Sequence, residues 1–379
     1  MRFTLAALVA TSLLFLLQPP SLPAQGHRCA RCKDEGLIPC KSKEHSHKKV
    51  CGYTWDHKCT AIYDARCCRG TELVPCPNKS CNQPVALLKH EEELAQRKAW
   101  VDRMRLIDKK TGFRFEHVET DGWVLHSSIP RIKIKDRSLR KVKTAHRFMD
   151  ILLRTARRFQ EITGVLPGPK QEVFLVPDER QNLTVTLHYF GVGHKVAYKI
   201  YSTQSKVCSW PRPPELKSDT AFAAHVCHLA AHQLTQSSVA FKRNLAGWID
   251  VGMAHWLELD LMKEKSTFCF KEVNSNGKNR WEGGKWKKMI HSEVRKRNEA
   301  LFADISRRDV DNLDHRAHAY CWSYVDFLVR KHPDEFKKLF RKIKQTNDTK
   351  AALDAALSWS TTGFQKEWRR FVLKEYQPK

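Results

Sequence analysis

Beyond its first two dozen residues the chain lacks any uninterrupted apolar run of spanning length. A bilayer crossing takes about 20 such residues, so a multi-span membrane protein is excluded. Glycine and proline number only 16 each among 379 residues, which leaves no room for collagen-like or proline-rich architectures. Acidic residues are in short supply: 41 Asp and Glu stand against 67 Lys and Arg, a formal net charge of +26. Helix-turn-helix and RNA-binding signatures are also missing, so nothing supports readout of a nucleic-acid sequence. With 41% hydrophobic and 28% charged residues the chain is too apolar to be a disordered polyelectrolyte. It is long enough to bury one large core or two modest ones.

What is present starts at the N-terminus. Arg2, the apolar run Leu5–Leu17, Pro19-Pro20 and Leu22-Pro23-Ala24 read as a secretory signal over 1–24, cleaved after Ala24. The competing reading is an uncleaved anchor. Cleavage leaves no transmembrane span and predicts a secreted or periplasmic, cell-envelope location where cysteines can be oxidised. The positive charge is spread along the chain: residues 26–90 carry 12 Lys/Arg against 6 Asp/Glu, and residues 91–379 carry 54 against 35. Denser patches lie at Arg131–Lys143 and at Lys278–Lys288, where Trp281 and Trp286 interleave with cations. Such patches suit phosphates or acidic glycans, or are simply solvated basic faces. Outside the cell an acidic envelope polymer or a protein is the expected partner rather than nucleic acid.

Nine of the 13 cysteines fall between Cys29 and Cys81: Cys29, Cys32, Cys40, Cys51, Cys59, Cys67, Cys68, Cys76 and Cys81. The stretch Cys32–Cys40 repeats in Cys68–Cys76, each ending Leu-(Ile/Val)-Pro-Cys. The segment 25–81 has few aliphatic residues and needs covalent or metal staples to fold. Cys29-x2-Cys32 with Cys40, and Cys76-Pro-x3-Cys81, resemble the zinc region of J-type chaperones. Two readings stay open, zinc or a disulfide framework through Cys29, Cys32, Cys40, Cys67, Cys68, Cys76 and Cys81, and the exported setting favours disulfides. Val85–Ile107 then reads as a charged helix within a linker over 82–112.

From 113 to 379 the pattern is α+β: a small mixed α/β subdomain followed by a mainly helical one. Strand-like pieces at Phe113–Val118 and Trp123–Ser128 precede an amphipathic helix, Leu139–Ile162, stopped by Gly164. Strands follow at Gln171–Val176 and His194–Tyr201, and the chain reads as helical from Ser218. Inside the helix capped by Ser218 or Asp219, His228 and His232 are one turn apart on one face, with His225 close by. That spacing suits two imidazoles on one metal, though it also arises by chance. Downstream comes Leu245-Ala-Gly-Trp248-Ile-Asp250-Val251-Gly252-Met-Ala254-His255-Trp-Leu-Glu258.

This frame resembles the gluzincin zinc metallopeptidases, in particular peptidase-like domains of secreted bacterial proteins, over roughly Phe113–Tyr376. The later segments Ala319–Leu328, with a cleft-facing Tyr320, and Phe364–Val372 resemble further helices of the same family. The resemblance implies a gluzincin-like fold with His228 and His232 as zinc ligands. It also exposes two losses. The general-base position holds Leu229, and the third-ligand position holds Val251. Leucine accepts no proton and valine ligates no metal. The resemblance therefore implies a degenerate pseudopeptidase, with a rebuilt zinc site through His255 as a variant and an active peptidase with atypical ligands as the alternative. Glu258 lies too far along its helix to be an obvious substitute base, Tyr320 has a packed-core reading beside its catalytic one, and Cys227 reads as a buried inert thiol. A third reading is a nucleic-acid or polyanion binder that uses the basic surface, with the fold as a passive scaffold.

Overall fold

The structure is a computed structural model that describes residues 30–33, 35–41, 50–63, 68–69, 71–78, 84–134, 137–166, 168, 170–195, 198–201, 206–237, 246–263, 281 and 285–377. The expected signal at 1–24 and the cysteines Cys29, Cys67, Cys81 and Cys269 lie outside the described residues. Strands are β1 (Leu37–Pro39), β2 (Lys58–Cys59), β3 (Leu73–Pro75), β4 (Glu116–Glu119), β5 (Trp123–Ser127), β6 (Arg131–Ile134), β7 (Arg137–Arg140), β8 (Gln171–Val176), β9 (Tyr198–Tyr201) and β10 (Lys206–Pro211). The main helices are α1 (Pro84–Thr111), α2 (Lys141–Thr163), α3 (Asp219–Ser237), α4 (Gly247–Met262), α5 (Trp286–Arg295), α6 (His315–Lys331), α7 (Pro333–Thr346), α8 (Thr349–Leu357) and α9 (Thr361–Glu375). This is a mixed α/β chain with a small sheet region and a helical C-terminal part, as the sequence pattern predicts. None of the described helices is long and apolar enough to cross a membrane.

The larger sheet runs β2-β4-β5-β8-β10-β9. β5, β8 and β10 are parallel at its centre, and antiparallel strands flank them. α2 covers one face with Phe148, Met149, Leu152 and Phe159, all fully buried. Its C-terminus stops at Gly164, whose φ of 63° is the left-handed conformation that glycine adopts without penalty. β10 went unpredicted: every residue from Val207 to Pro211 is buried, so the period-2 alternation that marks a half-exposed strand is missing.

The cysteine repeat has a structural counterpart. β1 and β3 pair antiparallel, Leu37 opposite Pro75 and Pro39 opposite Leu73. Cys40 N–H donates to Glu72 O at 2.8 Å while Cys76 N–H donates to Gly36 O at 2.9 Å, so the two units embrace in a pseudo-twofold manner. None of the described cysteines, six in this segment (Cys32, Cys40, Cys51, Cys59, Cys68 and Cys76) and three beyond it (Cys208, Cys227 and Cys321), is in a disulfide.

Residues 50–63 are built into the main body. β2 extends the sheet edge, with Lys58 opposite Glu119 and Cys59 opposite Val118. Cys51, Cys59, Ile62 and Tyr63 share one core with Trp100 and Met104 of α1. α1 itself is tied to the sheet: Trp100 Nε1 donates to Glu119 Oε2 at 2.6 Å, and Asp108 meets His117 Nε2 at 3.1 Å. The core therefore runs across the boundaries drawn at 81/82 and 112/113. α1, read as a spacer, packs against its neighbours because Trp100 and Met104 fall on its buried side.

Candidate functional site

The helical half is organised around α4, which packs on α3 on one side and α6 on the other. Its sequence frame has a packing cause. Trp248 is fully buried and donates Nε1–H to Thr349 Oγ1 at 3.0 Å. A Cβ on Gly252 would stand 2.5 Å from Cys321 O, so only glycine lets α4 approach the α6 backbone this closely.

α3, α4 and α6 converge on a chain of imidazoles and carboxylates. Glu258 Oε2 lies 3.2 Å from His228 Nδ1 and 3.4 Å from His255 Nδ1. His255 Nε2 meets His318 Nδ1 at 3.0 Å, and His228 Nε2 meets His232 Nε2 at 3.1 Å. His232 Nδ1 is 2.9 Å from Asp250 Oδ1, whose other oxygen accepts from Gln236 Nε2 at 2.6 Å. Trp286 stands edge-on over His255 at 5.0 Å between ring centroids. His228, His255 and Glu258 are each 0% exposed.

The proton inventory is informative. Glu258 as a carboxylate only accepts, so His228 carries its proton on Nδ1 and turns its Nε2 lone pair toward His232 Nε2. With the His232 proton on Nε2 the 3.1 Å contact is a hydrogen bond, and with it on Nδ1 two lone pairs face each other and call for a cation between them. Burial, reinforced by the neighbouring His255, His232, His225 and His318, holds His228 well below the ordinary histidine value. Burial brings His225 down to about 4 and His318 down to about 3. Neutral imidazoles each oriented by a carboxylate are the form in which histidine binds metal. His228, His255 and Glu258 form one buried group able to hold a metal ion, and Cys51, His57, Cys59 and His146 form another.

The structure thus brings the predicted His228, His232 and His255 together and adds three residues the sequence reading did not assign, Asp250 beside His232, Glu258 and His318. Glu258 belongs to the group because it stands one turn beyond His255 on the same face, orienting rings rather than replacing the base. His318 comes from α6 in place of Tyr320. Two residues along a helix turn the side chain through about 200°, so the two point nearly opposite ways. The Tyr320 hydroxyl instead donates to Glu293 Oε2 at 2.7 Å, beside Arg316, and burial raises its pKa. Leu229 is half-buried on α3 and Val251 fully buried on α4, with no carboxylate at either position. Cys227 is buried against Thr155 Oγ1 at 3.3 Å, and burial pushes its thiol up to about 12, the inert form expected. Cys32, Cys40, Cys68 and Cys76 flank the β1–β3 ribbon and, among the described residues, do not join a metal-capable group.

Two surface features complete the picture. The basic stretch at Arg131–Lys143 opens with the β6–β7 hairpin, where Ile132 is buried while Arg131, Lys133, Arg137 and Arg140 are exposed. Beside it, at the carboxyl ends of β8 and β10, an open groove of about 650 Å³ is lined by Arg180, Arg212 and Lys217 among others. Asp219 joins the two features, accepting from Lys133 N–H and from Arg212 Nη1. In the second patch Trp281 and Trp286 are buried, Trp286 Nε1 donating to Trp281 O at 2.7 Å, so neither is a stacking platform for bases.

No curated protein matches the chain. Residues 222–350, the part carrying the histidine group, are similar to a family described as a protein of unknown function (DUF1570).

Proposed function

We propose that this chain is an exported, metallopeptidase-like protein without hydrolytic activity, which works by binding a protein or an acidic envelope polymer. The observation that carries the reading is the sealed centre. His228, His255 and Glu258 are fully buried, only His232 reaches the surface with its side chain 13% exposed, and the positions that the resemblance gives to the base and third ligand hold Leu229 and Val251. A catalytic zinc keeps a coordination position open to water and substrate, whereas a structural one is closed. A metal held by His228 of α3 with His255 and Glu258 of α4 serves packing: it would replace the Nδ1 protons that Glu258 otherwise accepts and lock α3 to α4. The gluzincin resemblance is then one of scaffold, with the chemistry lost.

Binding is assigned to the outer surface. The exposed cations of the β6–β7 hairpin adjoin the groove at the strand ends, where Arg180 and Lys217 stand beside Asp178 and Glu179 and Arg212 is paired with Asp219, so the hairpin cations Arg131, Lys133, Arg137 and Arg140 are the main candidates for carboxylate, sulfate or phosphate groups. The buried tryptophans argue against single-stranded nucleic acid as the ligand. Retention of the full chain on a heparin column tests this. Elution should move sharply earlier with salt and earlier again in an Arg131→Ala, Lys133→Ala, Arg180→Ala variant. Salt-insensitive retention, or a variant that elutes with wild type, contradicts the surface assignment.

A further inference from the structure

The second buried group stands outside the histidine centre and joins distant parts of the chain. Cys51 and His57 lie in the segment leading into β2, Cys59 closes β2, and His146 comes from the first half of α2. All four are buried, and their ligand atoms lie within 4.8 Å of one another. The Cys51 and Cys59 sulfurs are 3.6 Å apart, His57 Nε2 is 3.5 Å from Cys51 Sγ, and the Nε2 atoms of His57 and His146 are 2.9 Å apart.

These distances can be set against a coordination tetrahedron. With Zn–S of about 2.3 Å and Zn–N of about 2.0–2.1 Å, its edges come to about 3.8 Å for S···S, 3.6 Å for S···N and 3.3 Å for N···N. The sulfur edges agree within a few tenths of an ångström, and the N···N edge is shorter by a similar amount. A disulfide is a different object, with sulfurs about 2.05 Å apart. The imidazole orientation points the same way. His57 Nδ1 sits 2.8 Å from Trp55 O and His146 Nδ1 sits 2.8 Å from Val142 O. A carbonyl only accepts, so each Nδ1 bears the proton and each Nε2 presents a lone pair to the centre. This is the outer-shell arrangement by which histidine ligands are fixed on a metal. Tyr53 and Trp55 lie over His146, with ring centroids 5.8 and 5.7 Å away, and wall the group off from water.

We infer that Cys51, His57, Cys59 and His146 form a structural zinc site of Cys2His2 type, which staples the N-terminal cysteine-rich segment to the sheet edge and to α2. Two thiolates and one Zn2+ sum to zero charge, so burial of the group carries no net ionic penalty. All four positions are taken by protein atoms, which makes the site closed and non-catalytic. The donor set of two soft sulfurs and two imidazoles selects zinc over the oxygen-seeking magnesium or calcium. The site is independent of the histidine centre and of any reading of the chain's function.

The test is the zinc content of the full chain, purified under reducing conditions and weighed intact by native mass spectrometry. It is paired with an anomalous difference map of wild-type crystals at the zinc edge. Cys51→Ser, Cys59→Ser and His146→Gln should each carry one zinc fewer than wild type, and His228→Ala should retain this ion. The map should show a peak between the Cys51 and Cys59 sulfurs. An unchanged zinc count in these variants, or a wild-type map with no peak there, overturns the inference, as does a Cys51–Cys59 disulfide found by peptide mapping. If the cysteine variants do not fold, the wild-type map decides alone.

Discussion

Replacing Glu258 with alanine is the sharpest perturbation of the buried histidine centre. The carboxylate is fully buried and takes the Nδ1 protons of both His228 and His255. Its removal leaves two buried N–H donors without an acceptor, at about 1–3 kcal/mol each. The truncated side chain also leaves a cavity, while relief of the carboxylate's own burial offsets part of the loss. The net is a destabilisation of about 3–5 kcal/mol. Glu258→Gln keeps one carbonyl acceptor and should lose roughly half as much. Urea unfolding followed by tryptophan fluorescence measures both, with Trp286 beside His255 as a local reporter. In chelator the difference reports the polar network alone. With zinc added, loss of this orienting carboxylate should also weaken metal binding about 10–100-fold. A Glu258→Ala protein within about 0.5 kcal/mol of wild type would refute the assignment, since surface substitutions alone stay in that range.

Other consequences follow from single residues. Gly252→Ala places a Cβ 2.5 Å from Cys321 O and forces α4 from α6; a loss of about 1–3 kcal/mol is expected in urea unfolding, and none would mean the helices give way freely. Lys344 is buried, with Nζ donating to Thr235 O, and burial lowers its pKa to about 7. Between pH 7 and its unfolded value near 10.5 the unfolded chain holds the extra proton, so wild-type stability rises with pH across that window. Lys344→Met should therefore be more stable than wild type at pH 7, by an amount that shrinks toward pH 10; a pH-independent difference would contradict the depressed pKa. His117, buried between Asp108 and His126, is lowered to about 4, chiefly by burial. It stays neutral in the fold while the unfolded chain protonates, so about 3 kcal/mol drains away as pH falls from 6.5 to 4. His117→Phe should flatten that part of the stability-against-pH curve, and an unaltered slope would count against it.

Helices were the readable part of this fold because their signals are local. Ser218 Oγ caps α3 through Ala221 N–H at 3.0 Å, Gly164 ends α2, and α8 spans the residues its pattern indicates. The cysteine repeat coincides with the β1–β3 ribbon, although its spacing carried no strand signal. β10 escaped because a strand buried on both faces shows no alternation. The metal-capable groups were half legible. His228, His232 and His255 share helical faces within a short stretch of chain, so spacing finds them. His146 stands 87 residues after Cys59 and His318 stands 63 after His255, separations that only the folded topology closes. Tyr320, singled out by the family resemblance, lies on the helix that supplies His318 but on its opposite face.

The central claim is that the histidine centre cannot hydrolyse a peptide bond. Full-length protein loaded with zinc and incubated with an unfolded protein substrate tests it most directly. No cleavage above a zinc-only blank is expected. Cleavage that disappears with chelator and in His228→Ala would contradict it.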